Sequence, residues 1–240
     1  MNFSSLQSRA REQWQEFESP SRPLVLVGSG TCGRAAGASD ILVATRKHLG
    51  EKDIDADLHE VGCLGLCYTE PLVELDAPGR PRVLYGNLAG SDIPDLLDAY
   101  LSGEDLRPDK AVAVMDGTAQ DGIHAWKDHK MVHPQKRIVL RNCGRIDPED
   151  INHYIARGGY EGLHRALQMS PTEVIQIVKD SGLRGRGGAG FPTGLKWDFC
   201  NSESSDIKYM ICNADEGDPG AFMDRSVIEG DPHSVVEGLA

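Results

Sequence analysis

Short apolar runs alternate with segments of helical periodicity along the first hundred residues. Four runs predict β-strands, at residues 24–27, 56–61, 71–75 and 82–85. Two intervening segments, 35–49 and 93–101, carry apolar residues at helical spacing and are followed by Gly50 and Gly103, which suit the position just after a helix. The order β-α-β-β-β-α predicts an α/β domain built on one sheet.

The pattern changes on both sides of this domain. Residues 1–20 predict a polar helical arm, and residues 105–136 predict a linker or wrapping segment, because charge and glycine are scattered there without a period. Proline-containing caps at 147–150 and 170–173 predict two helices, and residues 208–212 predict a short buried strand. A helix predicted from Asp231 stops after one apolar turn, so we expect the natural domain to be longer.

Composition narrows the class of protein. The 240 residues carry a formal net charge of −12, which argues against general binding to nucleic acid or to membrane surfaces. No apolar run of membrane-spanning length and no secretory signal is visible, so a cytoplasmic location and no direct membrane insertion are expected. Six cysteines in that setting indicate reduced thiols or metal ligands rather than disulfides.

A G-x-G-x-x-G pattern, Gly28 to Gly33, follows the first predicted strand and precedes a predicted helix. On spacing alone it is a dinucleotide-binding turn. A stand-alone dinucleotide-binding dehydrogenase needs about six alternating strands and helices, however, and the order after Val61 does not supply them. Cys32 is therefore the informative residue of this turn.

A second glycine-rich stretch, LRGRGGAGFPTGLKW at 183–197, has the chemistry of a nucleotide site. Six glycines lie between 182 and 194, and glycine lets backbone N–H groups approach phosphate oxygens closely. Arg184, Arg186 and Lys196 supply positive charge, and nearby aromatic residues offer surfaces for ring stacking. Phosphate binding next to aromatic rings suits a nucleotide or a flavin.

Carboxylates and an amide follow the predicted strand 208–212, in the segment NADEGDPG at 213–220. Ligands of α/β sheets lie at the carboxyl ends of strands, so these groups could bind ribityl or ribose hydroxyls. An acidic turn with a purely structural role is the alternative.

Together, GLRGRGGAGFPTGLKW and CNADEGDPGAFMDR closely resemble the NADH-binding flavoprotein subunit of respiratory complex I and its relatives. The GDPGAFMDR form is most similar to the diaphorase subunits of NAD-dependent hydrogenases and formate dehydrogenases. RIVLRNCGRIDPEDINHYIARGGYEGL is similar to the first segment of that domain. The resemblance implies an FMN- and NADH-binding α/β domain over 137–240, and residues 21–104 resemble the thioredoxin-like [2Fe–2S] ferredoxin domain fused ahead of it.

The resemblance also implies which residues bind cofactors. FMN would lie along Gly185, Arg186, Gly187, Gly188 and Lys196, with Lys196 near its phosphate, and would also contact Asn213, Asp215 and Glu216. NADH would stack on Phe191 and Phe199, and Asp218 stands where complex I subunits carry a glutamate near NADH.

The implied activity is that of an NADH:acceptor oxidoreductase, or diaphorase, in which hydride passes between NAD(H) and FMN and electrons pass to or from iron–sulfur clusters. The implied partners are a thioredoxin-like ferredoxin subunit and a hydrogenase, formate dehydrogenase or other redox subunit. The family's [4Fe–4S] cysteines and part of its flavin pocket have no counterpart in these 240 residues, so the isolated chain is expected to bind FMN weakly. A non-catalytic assembly or electron-transfer module, with an incomplete flavin site, is the alternative.

Three cysteines of the first domain are candidate metal ligands. Cys63 and Cys67 form a C-x-x-x-C loop whose thiolates can face one ion. The ferredoxin resemblance adds Cys32, but alanine and glycine stand at 36 and 37, where a fourth cysteine is expected. Asp40 or His59 is a candidate fourth ligand; loss of the cluster is the alternative. Cys143, Cys200 and Cys212 are expected to be small buried residues.

Overall fold

The computed structural model describes residues 2–240 of the chain. Its strands form one five-stranded sheet in the order β2-β1-β3-β4-β5. The strands are β1 Leu24–Gly28, β2 Asp57–Val61, β3 Val73–Asp76, β4 Val83–Tyr85 and β5 Ala111–Val114. Strands β1 and β2 are parallel, and every other pair is antiparallel.

Helices surround the sheet and make up the regular structure of the later chain. The first four are α1 Phe3–Glu18, α2 Thr31–Ala36, α3 Ala38–Glu51 and α4 Ile93–Ser102. The others are α5 Ile151–Ala156, α6 Glu161–Ala166, α7 Pro171–Asp180, α8 Thr193–Ser202, α9 Met223–Gly230 and α10 Pro232–Leu239. No helix within residues 2–240 is long and apolar enough to cross a membrane.

The mixed α/β class and the thioredoxin-like sheet predicted from the sequence are confirmed. The parallel pair requires a crossover, and α2 and α3 supply it between β1 and β2. All five residues of β1 are buried, as expected for the strand that is covered on both faces. The whole sheet lies between residues 24 and 114.

The larger core lies between one face of the sheet and helices α3 and α4. Ile41, Leu75 and Leu97 are among its fully buried side chains. Burial of each such side chain stabilises the fold by about 1.5–3 kcal/mol. The opposite face carries two smaller clusters, one around Leu64 and Leu84 and one beneath α1.

Helix α1 is attached to the rest of the protein by its apolar stripe. Phe17 is buried against β1, and its ring lies 4.3 Å from that of His153 in α5. The guanidinium of Arg157 lies over the Trp14 ring at 5.3 Å. The predicted polar arm is therefore a strap that packs against both the sheet and α5.

The segment 105–136, predicted as a linker, contributes an edge strand to the sheet. Ala111–Val114 pairs with β4, and Val83 is opposite Val114. A four-residue alternating run is too short to separate a strand from a loop by periodicity, so the sequence pattern did not reveal this strand.

Several predicted ends were wrong by a few residues. Residues 35–49 are divided between α2 and α3 at Gly37, whose φ is +112°, and Gly50 lies inside α3. Asp150, rather than Asp147, caps α5 by accepting a hydrogen bond from the Asn152 amide. The capping box of α7 is confirmed: Ser170 and Glu173 bond each other's backbone N–H groups.

The predicted buried strand at 208–212 is not formed. Tyr209 and Ile211 are 79% and 80% exposed, and residues 207–215 have no regular structure. A strand is stable only when a neighbour pairs with its backbone groups, and no strand between residues 2 and 240 pairs with this one.

Candidate functional site

The glycine-rich stretch forms a loop that is closed at its base. The Gly185 amide donates to the Phe191 carbonyl at 2.8 Å, and the Thr193 amide donates to the Leu183 carbonyl at 2.9 Å. Helix α8 begins at Thr193, directly after the second of these two hydrogen-bonded segments, so the loop connects α7 to α8. Packing between these two helices holds the base, while the tip, residues 186–190, projects outward.

The tip has the properties of an anion-binding nest. None of its backbone N–H groups donates a hydrogen bond to another group in residues 2–240. Gly188 and Gly190 have φ values of +103° and +60°, a conformation that glycine adopts without strain. A Cβ at Gly187 or Gly188 would have nothing within 4 Å, so space beside the backbone is open to a ligand. The free amides and the open space make the tip a candidate binding site for a phosphate group.

Positive charge near the tip comes from residues with different roles. Arg184 donates from Nε to the Gly190 carbonyl at 2.6 Å, so it braces the loop. Arg186 and Lys196 are exposed, and neither is in an ion pair with a described residue. Lys179, by contrast, is bound to Asp198 at 2.7 Å across the α7–α8 pair. Arg186 and Lys196 are thus the cations free to meet an anion.

Two aromatic rings lie on the same side of this unit. The centroids of Phe191 and Phe199 are 6.4 Å apart and their planes are inclined by 50°. The side chains are 47% and 59% exposed, an unusual state for phenylalanine. The structure brings together an open amide nest, two free cations and two exposed rings.

The acidic segment 213–218 is arranged differently. Asn213 accepts a hydrogen bond from the Asp215 amide at 3.0 Å, which shapes a local turn, and Asp218 is exposed. Glu216 accepts hydrogen bonds from the amides of Asp224 and Arg225, at 2.8 and 3.2 Å. No hydrogen bond or ion pair in the described chain joins this segment to the glycine-rich loop.

Glu216 thus caps helix α9. A small loss of hydration raises the pKa of Glu216, but the amide hydrogen bonds from α9 outweigh it and hold the pKa below its ordinary value. The carboxylate already has a structural role, which sequence reasoning missed.

The three candidate thiols of the first domain converge. The sulfurs of Cys63 and Cys67 are 3.8 Å apart, and Cys32 lies beside Cys67. Burial raises the pKa of Cys63, and burial with the Cys67 contact raises the pKa of Cys32. Arg225 of α9 reaches the Cys32 sulfur at 3.5 Å from Nη2 and opposes the second shift.

A buried carboxylate next to these thiols escaped sequence reasoning. Glu70 is 7% exposed; its Oε2 accepts from the Leu72 amide at 2.9 Å and its Oε1 has no partner in residues 2–240. Burial raises the pKa of Glu70, and the neighbouring Cys63 thiol opposes that rise. The only signal in the sequence was an acidic residue at the entrance to an apolar strand.

The proposed fourth ligands lie elsewhere. His59 Nδ1 is 2.8 Å from Asp147 Oδ2, and Asp40 is exposed in the first turn of α3. In the described chain, no three or more His, Cys, Asp or Glu side chains are arranged to hold a metal ion. The thiols converge, and Glu70 rather than Asp40 or His59 is the acidic or histidine side chain beside them.

The remaining cysteines divide into two kinds. Cys143 is fully buried, as predicted, and burial raises the pKa of its thiol to about 11. Cys200 and Cys212 are exposed, so the prediction that they are buried was wrong. Cys200 lies on the exposed face of α8, and Cys212 lies in the segment that does not form its predicted strand.

In the G-x-G-x-x-G turn, Gly28 to Gly33, a carboxylate of the same chain, Glu229, is bound. The Thr31 amide donates to Glu229 Oε2 at 2.9 Å, and the Thr31 hydroxyl donates to the other oxygen of that carboxylate. A Cβ at Gly33 would collide with the Gly28 carbonyl, so this glycine permits close packing between α2 and β1. As expected from the sequence, the motif is part of the sheet domain.

Comparison with known proteins confirms the resemblance recognised from the sequence. Residues 178–240 match the family model of the Nuo51 FMN-binding domain. The NADP-reducing hydrogenase subunit HndC of Solidesulfovibrio fructosivorans is 66% identical over 106 residues, 44% of this chain and 21% of that protein.

Two subunits of NADH-quinone oxidoreductases are also similar. The one from Aquifex aeolicus is 49% identical over 102 residues, 42% of this chain and 24% of that protein. The one from Escherichia coli is 50% identical over 94 residues, 38% of this chain and 21% of that protein. The chain thus spans about a fifth to a quarter of the length of these relatives.

Solved structures give weaker likenesses. A thioredoxin-like [2Fe–2S] ferredoxin from Aquifex aeolicus aligns with 38% of this chain and 98% of its own, at 16% identity and a TM-score of 0.33. An NAD⁺-reducing [NiFe]-hydrogenase aligns with 98% of this chain and 37% of its own, at 22% identity and a TM-score of 0.37. At such TM-scores neither alignment carries an argument.

Proposed function

We propose that this chain carries the FMN- and NADH-binding segment of an NADH:acceptor oxidoreductase, a diaphorase that works inside a larger redox complex. The observation that carries the proposal is the glycine-rich tip with free amides next to Arg186 and Lys196. The family match over 178–240 covers that loop, and the similar hydrogenase and NADH-quinone oxidoreductase subunits are 66% and 50% identical over 106 and 94 residues of the chain.

The phosphate of FMN would bind at the tip. The amides of Gly187 and Gly188 have no partner in residues 2–240, the space beside these glycines is open, and the exposed Arg186 and Lys196 would neutralise a dianion. Gly185 keeps the base closed through its bond to Phe191. Rigid attachment to α7 and α8 keeps these donors in one geometry, which lowers the entropic cost of binding.

The rings and hydroxyls would be bound by the residues around the tip. Phe191 and Phe199 offer flat apolar surfaces on which adenine or nicotinamide would stack. Asn213, Asp215 and Asp218 would supply acceptors for hydroxyls of FMN or NADH. Both carboxylate oxygens of Glu216 accept amide hydrogen bonds from the start of α9. Its effect on FMN would therefore be indirect, through holding α9 in place.

The bound flavin would supply the change between two-electron hydride transfer from nicotinamide and one-electron transfer to iron–sulfur clusters. This chain's residues would hold the phosphate, stack the rings and fix their distance. No side chain at the loop is assigned a proton-transfer role. The negative charge of 213–218 would favour binding through hydrogen bonds from neutral hydroxyls rather than through contact with phosphate.

Each part of the chain would also have its own place in such a complex. Residues 1–20 would be the strap, 21–104 with β5 the thioredoxin-like domain, the rest of 105–136 the connection, and 137–240 part of the flavin domain. Partners would be redox subunits such as a ferredoxin subunit and a hydrogenase or formate dehydrogenase, and the location would be cytoplasmic. A complex that contains this chain but no flavin would favour a non-catalytic module instead.

The test uses the intact complex purified through a tag on this protein. Arg186→Ala and Lys196→Ala are expected to lower FMN affinity about tenfold or more each, because each removes a charge-assisted phosphate contact. Released FMN is measured by fluorescence, and NADH-dependent reduction of an artificial acceptor by absorbance. Lys130→Ala, at another exposed lysine, is the matched control.

Phe191→Ala separates the two ligands. It is expected to raise KM for NADH several-fold while leaving bound FMN close to the wild-type amount, because the ring would stack on NADH rather than on the phosphate of FMN. Unchanged FMN content in Lys196→Ala together with unchanged activity in Phe191→Ala would refute the assignment of this site.

A further inference from the structure

The thiol cluster of the first domain does not fit a four-ligand [2Fe–2S] cluster. Three thiols converge, and the two residues considered as a fourth ligand are engaged or exposed elsewhere. Glu70 is the remaining donor close to Cys63: its Oε2 accepts the Leu72 amide, and its Oε1 has no partner in residues 2–240. The three thiols are one short of the four cysteines that usually hold such a cluster.

The geometry of the loop points to another chemistry. Cys63 and Cys67 are the two thiols whose sulfurs lie 3.8 Å apart, within one turn of chain. Gly65, at a φ of +84°, lets the chain reverse between them. Both sulfurs are on one short loop between β2 and β3, so they can approach each other without moving the sheet.

We propose that Cys63 and Cys67 form a dithiol pair that low-molecular-weight disulfides oxidise to an intramolecular disulfide. Cys67 is half-buried and meets the reagent, whereas Cys63 is buried behind it. Cys32 is the third thiol nearby, but it is held in helix α2, beside Thr31, which is bound to Glu229, and within reach of Arg225. That attachment favours the pairing within the loop.

The reaction balances as two thiol–disulfide exchanges. The Cys67 thiolate attacks one sulfur of RS–SR, the S–S bond of the reagent breaks, and RS⁻ leaves. The Cys63 sulfur then attacks Cys67 Sγ, the mixed disulfide breaks, and a second RS⁻ leaves. Two cysteine sulfurs are oxidised, one reagent disulfide is reduced, and the two protons from the cysteine thiols end on two RSH molecules.

The experiment uses the full 240-residue chain, purified under reducing anaerobic conditions and treated with oxidised glutathione. Remaining thiols are alkylated and the protein is digested with trypsin, which leaves Cys63 and Cys67 together in peptide 53–82. The expected product is this peptide without alkyl groups and two hydrogens lighter, about tenfold more abundant than the glutathionylated peptide, because the second attack is intramolecular.

Variants resolve the order of attack. Cys63→Ser is expected to stop at a mixed disulfide on Cys67, and Cys67→Ser is expected to leave Cys63 mostly alkylated. Cys143→Ser, at a buried thiol outside the loop, is the matched control and should not change the pair. Exposed Cys200 and Cys212 should become glutathionylated in every sample, which shows that the reagent is active. Circular dichroism checks that each variant is folded.

Three results would overturn the proposal. A cross-linked product between peptides containing Cys32 and Cys67 would assign the pair differently. Two irons and two sulfides per chain, lost in Cys63→Ser, would show a cluster in place of the dithiol. Full alkylation of Cys63 and Cys67 after treatment, with Cys200 modified, would exclude oxidation of the pair.

Discussion

Apolar side chains are buried in the sheet domain, whereas several are exposed in the segment between α7 and α9. Val25 and Ile41 of the first are fully buried between the sheet and its helices. Phe199 and Ile211 of the second are 59% and 80% exposed. The sheet domain contains every strand partner it needs, whereas the second region presents apolar and charged groups outward. We infer that the first region stabilises the molecule and that the second is specialised for contact.

Amide hydrogen exchange should show the largest difference between the regions. Amides of β1 and β3 are expected to exchange about a thousandfold more slowly than those of residues 207–215, because the former open only with the whole domain. Mass spectrometry of the 240-residue chain measures both sets in one sample. Slow exchange at 207–215 would mean that this segment is paired in solution and would weaken the comparison.

Core truncation should separate the regions next. Leu97→Ala removes a fully buried side chain of α4 and is expected to lower the free energy of unfolding by about 2–5 kcal/mol. Ile211→Ala is the matched change at an exposed position and should cost less than about 0.5 kcal/mol. Urea denaturation measures both. Similar losses in the two variants would show that residue 211 is buried in solution.

A pH titration tests the strap that joins the sheet to α5. Burial lowers the pKa of His153; Asp150 and Asp147 oppose this, His59 adds to it, and Phe17 and Trp14 cover the ring. Protonation therefore favours the unfolded chain, so stability is present above the ordinary histidine pKa and is lost as the pH falls through the lowered value.

Between pH 7.5 and 5 part of the loss of stability should be attributable to His153. His153→Asn can keep an acceptor for the Asp147 amide without titrating and is expected to flatten this part of the profile. His133→Asn, at an exposed position outside the strap and α5, is the control. An unchanged profile in His153→Asn would show that the strap does not respond to this group.

Sequence patterns predicted the sheet domain well because its elements carry their own signals. The apolar run around Val25 and the glycine that ends α4, Gly103, act through neighbouring residues, so short windows contain the information. Strand 111–114 was missed because it is stabilised by pairing with β4, and its own four residues do not reveal that pairing. The strand expected at 208–212 was wrong for the related reason that an apolar run becomes a strand only when another strand pairs with it.

The candidate sites also contain features that local sequence predicts and features that it does not. The glycine-rich loop could be predicted, since free amides and local positive φ angles follow from residue type. The capping role of Glu216 and the place of Glu70 beside Cys63 depend on how an irregular segment folds back on its neighbour and on burial, which no periodicity encodes. Sequence spacing cannot supply such contacts.

The contact between Thr31 and Glu229 has a consequence for the G-x-G-x-x-G turn. The amide that would face a phosphate group already holds a carboxylate from α9, 198 positions along the chain. Glu229 is therefore an internal competitor: an incoming anion would have to displace a tethered negative charge and give up the anchor of α9 on the sheet domain. A turn with nucleotide-binding spacing therefore connects the sheet domain to helix α9.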